Sequence, residues 1–198
     1  MLWTSYLDAV QPLVTSFEKA ASATLESLMR AGVRGDSLPE IVVVPNLLQA
    51  PELADFVRRP GILYVVVAEP RMSSMVHEHL HDVLGPILRS NKVDIAAHRH
   101  LLRPVLPVML RMQYAWADDD ESWLRVFEES LMRAAAIWLE SERSPAEGDK
   151  QAQNQWRQGF IYVPALLDCL RKDWRGPNIS TDFIRRCLRA CTRSIAQA

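Results

Sequence analysis

Along most of the chain apolar residues recur every three or four positions, the period of helices with one buried face. The clearest such segment begins after Asp118, Asp119 and Asp120, where Trp123, Phe127, Leu131, Ala134 and Trp138 share a face that Leu124, Ile137 and Leu139 widen. Aspartates at a helix start offer side-chain oxygens to free N–H groups and suit the positive end of the dipole. Asp118 and Glu121 also have the spacing of a capping box. Ser144-Pro145 and Gly148 close the segment. The pattern predicts a central helix from about Asp120 to Ser141, with Phe127, Leu131 and Trp138 in the core.

Trp3, Tyr6, Leu7 and Val10 begin an earlier stripe that Leu13, Val14, Phe17, Ala21, Leu25 and Leu28 continue. Pro12 interrupts it, so a short first turn and then a helix from about Pro12 to Arg30 are expected. Arg34-Gly35-Asp36-Ser37 reads as a turn. Ile41–Val44 and Ile62–Val67 are β-branched runs fenced by proline and glycine, which fits buried strands or pieces of buried helix. Pro51 to Arg59 between them reads as a short crossover helix. Met72 to Leu88 is helical, with Met72, Val76, Leu80, Val83 and Ile87 on one face. Helices over Lys92–Leu102 and Val105–Trp116 follow, divided at Arg103-Pro104. Two last helices, Phe160–Trp174 and Ser180–Ile195, are separated by Gly176-Pro177, with Ser180 or Thr181 as a cap and Ile184, Leu188, Cys191 and Ile195 as a buried stripe.

These elements predict a mainly α fold, a multi-helix bundle or helical-repeat-like domain. The alternative is an α/β fold with a small sheet formed by the 41–44 and 62–67 runs. The expected organisation is a helical core over 1–142, an exposed polar loop over 143–158, and a C-terminal helical pair over 159–198 packed on the core.

Hydrophobic residues at 48% and charged residues at 24% exclude general disorder, and 198 residues suffice for a sizeable core. A net charge of -1 gives no overall attraction to nucleic acid or to an anionic membrane. No apolar run has the length of a membrane span. The first residues lack the basic start of a signal peptide, and Cys169, Cys187 and Cys191 are an odd number without framework spacing. Free thiols in an intracellular, reducing compartment are therefore expected: the cytoplasm, or an organelle matrix after loss of a presequence.

His77-Glu78-His79-Leu80-His81 has the form HExxH on an amphipathic helix, and here the chain resembles the zincin metallopeptidases. The resemblance implies that His77 and His81, one turn apart, bind zinc, and that Glu78 acts as general base toward water. Asp82 stands where that family has an uncharged residue, Leu88 where its extended pattern has a third histidine, and no downstream Glu-x-x-x-Asp spacing is present. His98 and His100 are the candidates for a third ligand.

Elsewhere, Arg185, Arg189 and Arg193 follow one another at i+4, a solvated face or a docking strip. Trp156 lies in the polar stretch, where an exposed tryptophan suits a protein interface. Cys187 and Cys191 read as buried thiols. No phosphate-binding loop or nucleophile elbow occurs. The first functional expectation is therefore a non-catalytic, cofactor-free interaction protein, an accessory or adaptor subunit contacting other protein subunits through Trp156, Arg185, Arg189 and Arg193. The alternative is a small zinc-dependent hydrolase using His77, Glu78 and His81.

Overall fold

The computed structural model describes residues 2–30, 32, 40–46, 50, 54–174 and 180–196. The Arg34–Ser37 turn and the Gly176-Pro177 break lie outside them, as do the side chains of Trp3, Tyr6, Leu7 and Val10. The fold is mainly α with a small three-stranded sheet. The chain divides into two compact units, 1–79 and 80–198.

In the first unit α1 spans Leu2–Arg30 without a break at Pro12. Pro12 is on the exposed side of the helix, where a forfeited backbone bond faces outward and costs least. The strands are β1 (Glu40–Pro45), β2 (Ala54–Arg59) and β3 (Ile62–Val67), in the order β1-β3-β2. β1 runs parallel to β3, with Glu40 opposite Ile62 and Pro45 opposite Val67. β2 is antiparallel to β3, Ala54 opposite Val67 and Arg59 opposite Ile62.

Both valine-rich runs are thus strands, and the crossover helix expected over Pro51–Arg59 is a strand over 54–59. The reason is local. Pro60-Gly61 makes a two-residue hairpin turn, with Gly61 at φ +77, a conformation glycine adopts without steric cost. That turn folds 54–59 directly back on 62–67. On β3, Leu63, Val65 and Val67 are buried and their neighbours half-buried, the period of two expected of a sheet with one covered face. Phe17 and Ala20 of α1 and Met75 pack on that face.

α2 (Met72–Ser90) runs out of the first unit into the second. Its buried line is Val76, Leu80, Leu84 and Leu88, with Met75 and His79 beside it, while Val83 and Ile87, expected in the core, are half-buried.

The second unit continues with α3 (Lys92–Ala96), a turn of 3-10 helix (Arg99–Leu102), α4 (Leu106–Arg111), α5 (Asp120–Glu140), α6 (Pro145–Arg157), α7 (Val163–Asp173) and α8 (Thr181–Ala196). The two helices expected over 92–116 are therefore shorter and interrupted. Pro104 and Pro107 cannot donate to a helical ladder, and Gln113 takes φ 63 just beyond α4.

α5 is central: α3, the 3-10 turn, α6 and α7 pack on it, and α8 packs on α7. Asp119, not Asp118, caps it, its carboxylate accepting from Ser122 N–H at 2.7 Å. That bond holds the Asp119 carboxyl below the usual carboxylate range. Asp118 instead lies near Arg99 and Arg103. Trp123, Phe127 and Leu131 are fully buried, and Trp123 donates its indole N–H to the Ile95 carbonyl at 2.9 Å. Trp138 is half-buried and stacks at a tilt on Trp174, ring centres 5.4 Å apart.

The stretch expected as a loop over 143–158 is largely exposed but helical. Pro145 suits the first turn of α6. Gly148 and Ala152, the two buried positions, are small enough for the helix to lie close, and a Cβ on Gly148 would come 2.2 Å from Ser141 Oγ. Two small residues one turn apart dock a helix without an apolar stripe. Ser180 caps α8, accepting from Phe183 N–H at 3.2 Å. No helix among the described residues is long and apolar enough to cross a membrane.

Candidate metal centre

α2 is a single continuous helix, so His77 and His81 sit one turn apart on it, as the HExxH spacing requires. Both are half-buried, whereas Glu78 is 8% exposed and His79 is fully buried. His81 is held by α5. Its Nδ1 lies 3.1 Å from Glu128 Oε1, and its Nε2 lies 3.4 Å from Glu129 Oε2. A carboxylate oxygen thus faces each ring nitrogen, and an Nδ1–H donated to Glu128 would leave the Nε2 lone pair for an ion shared with Glu129.

Two atoms bound to one tetrahedral zinc at about 2.0–2.1 Å stand roughly 3.3–3.4 Å apart. The spacing of Nε2 and Oε2 fits a shared ion. His77, His81 and Glu129 each offer one ligand atom, and the three lie within 4.8 Å of one another. Glu129 is thus the third member of that cluster. His98 and His100 are not in the cluster; His98 Nδ1 lies 3.0 Å from the Asp94 carbonyl instead.

The second carboxylate oxygen of Glu129 is also placed. Arg133, one turn on along α5, reaches Glu129 Oε1 at 2.7 Å. Arg133 further donates to Tyr114 Oη at 2.9 Å and to Gln155 Oε1 at 3.0 Å, and its guanidinium lies 4.0 Å over the Phe160 ring. A planar cation held on three sides fixes the carboxylate it grips. Burial and the nearby negative charge of Glu129 raise the Tyr114 phenol above its ordinary pKa, although Arg133 works against this. Gly85 follows His81 by one turn on α2. A Cβ there would stand 3.2 Å from Glu128 Oε1 and 3.1 Å from Arg89 Nη1.

The donor set of two imidazoles and a carboxylate is one that zinc accepts. The His81–Glu128 bond adds the carboxylate partner that commonly orients a ligating imidazole. Glu128, Glu129 and Arg133 escaped the sequence pattern. One signal was available: Glu129 has Arg133 at i+4, the spacing of an ion pair along a helix. A carboxylate only 7% exposed needs a partner.

The residues expected to meet a partner subunit are scattered. Trp156 is 44% exposed on α6. Arg185 is engaged within the chain, its Nε and Nη2 lying 3.1 and 3.3 Å from the two oxygens of Asp94. Arg189 and Arg193 lie away from that pair, along a cavity between α7 and α8. Cys187 and Cys191 are buried, and burial contributes to pushing both thiols up. No protein-family model, curated protein or solved structure matches the chain.

Proposed function

We propose that the protein is a small zinc-dependent hydrolase acting on amide bonds. His81 carries the reading: it is poised between two carboxylates of α5, one placed to orient the ring and the other to share an ion with it. His77, His81 and Glu129 would hold the metal. Glu128 fixes the tautomer of His81, and Arg133 keeps one oxygen of Glu129 directed away from the ligand side. Glu78, between the histidines in sequence and largely buried, takes the general-base position that the zincin resemblance implies. Zinc bound there would supply Lewis acidity and bring the pKa of water toward neutrality.

Metal analysis of purified protein, and of chelator-treated protein re-exposed to zinc, tests this reading. One equivalent of tightly held zinc is expected, lost in His81→Ala. Glu78→Gln is expected to keep the metal and lose cleavage of a broad-specificity peptide substrate. Protein that takes up no stoichiometric zinc and melts identically with and without chelator overturns it.

The other reading, an accessory subunit binding a protein partner, draws support from Trp156, exposed on a surface helix. Under it Glu78→Gln is silent, and Trp156→Ala weakens association with the partner.

A further inference from the structure

The second unit holds another group of reactive side chains, independent of the metal cluster. Between α7 and α8 lies a cavity of about 400 Å³ lined by Cys169 together with Lys172, Arg186, Arg189 and Arg193, and by Asp168 and Asp173. Cations outnumber carboxylates in that lining by four to two. Asp173 is engaged by Arg186 at 3.0 Å, and Arg189 and Arg193 are exposed. Cys169 is half-buried, whereas Cys187 and Cys191 are fully buried, so the cavity gives access to one thiol. The Cys169 Sγ lies 4.0 Å from the Arg186 carbonyl, to which its thiol can donate.

We propose that this cavity is a thiol-modification site, in which Cys169 exchanges with a small disulfide bearing carboxylates and keeps half of it as a mixed disulfide. The chemistry balances. Cys169 thiolate attacks one sulfur of the reagent, and a bond forms from Sγ to that sulfur as the reagent's own S–S bond breaks. The electron pair leaves on the second sulfur, which departs as a thiolate and takes its proton from solvent. The protein thiol is oxidised, and one half of the reagent is reduced.

Two features of the site favour this. The neighbouring Cys187 thiol holds the Cys169 pKa below that of an ordinary thiol, with Arg193 assisting, while burial, Asp173 and Asp168 oppose the shift. Arg189 and Arg193 at the rim attract carboxylates, which raises the local concentration of an anionic reagent over a neutral one.

The full chain, at matched concentrations of two probes, gives the test: oxidised glutathione, which carries carboxylates, and hydroxyethyl disulfide, which does not. Peptide mapping should place one glutathione adduct on Cys169, absent in Cys169→Ser. The double variant Arg189→Gln/Arg193→Gln should slow the glutathione reaction by about three- to tenfold and leave the hydroxyethyl reaction unchanged. Both arginines are exposed, so the variant is expected to melt like the parent. An adduct on Cys187 or Cys191 instead, no adduct on the folded protein, or an equal effect of the arginine change on both probes would each overturn the proposal.

Discussion

His81 Nδ1 on α2 stands 3.1 Å from Glu128 Oε1 on α5, within reach of an imidazole N–H donated to the carboxylate. If that bond orients a metal ligand, its loss should be read in metal affinity rather than in folding. Glu128→Ala is expected to weaken zinc binding by about 10- to 100-fold. Glu128→Gln, which keeps an acceptor, should lose less. Competition with a chelating dye measures both. Equal affinity in parent and alanine variant would leave Glu128 without an orienting role.

Trp123 and Phe127 are both fully buried at the centre of the second unit, their rings 5.7 Å apart. Phe127→Ala should destabilise the protein by about 3–5 kcal/mol, the cost of emptying an aromatic site in a core that cannot collapse around it. Equilibrium denaturation followed by Trp fluorescence checks this; a midpoint close to that of the parent would mean the core lies elsewhere.

Asp119 gives a pH-dependent contribution whose sign can be worked out. Its carboxyl pKa is lowered in the folded state by the bond from Ser122 N–H. The stabilisation is therefore present above the unfolded pKa and lost as pH falls through the folded one. Asp119→Ala should melt below the parent at neutral pH, and the gap should close in acid below the carboxylate range. Thermal scans across that interval decide it, and a gap that persists in acid would place the effect outside the carboxylate.

Gly148→Ala is expected to displace or loosen α6. The added methyl would meet Ser141 Cβ at 2.7 Å and Arg171 Nη2 at 2.9 Å, besides Ser141 Oγ. Overpacking of this kind costs about 1–3 kcal/mol. Hydrogen exchange should show faster exchange over 145–157, with α8 unaffected.

Legibility followed the length scale of the signal. α5 could be read because its stripe repeats over several turns and its start is marked by a run of acids. The valine-rich runs could be read as candidate strands, but not the hairpin that joins 54–59 to 62–67. A two-residue turn outweighs the helical propensity of six residues, and only Pro60-Gly61 announced it. α6 was hidden for the opposite reason. Its docking rests on two small residues, and smallness leaves no hydrophobic period. At the candidate centre, His77, Glu78 and His81 were visible because one helix turn suffices to define them. Glu129 arrives from 48 positions beyond His81 in the numbering, a juxtaposition that only tertiary packing creates.

Gly85 gives a handle on that juxtaposition. It touches no ligand atom, yet a Cβ in its place would stand 3.2 Å from Glu128 Oε1, the carboxylate oxygen that meets His81. Replacing it with alanine would act as a spacer a few tenths of an ångström thick. Such a spacer leaves every donor in the sequence and presses only on the carboxylate that orients one of them. If the proposed centre holds zinc, Gly85→Ala should therefore change its affinity through the placement of the carboxylate beside His81, with the donor set unaltered.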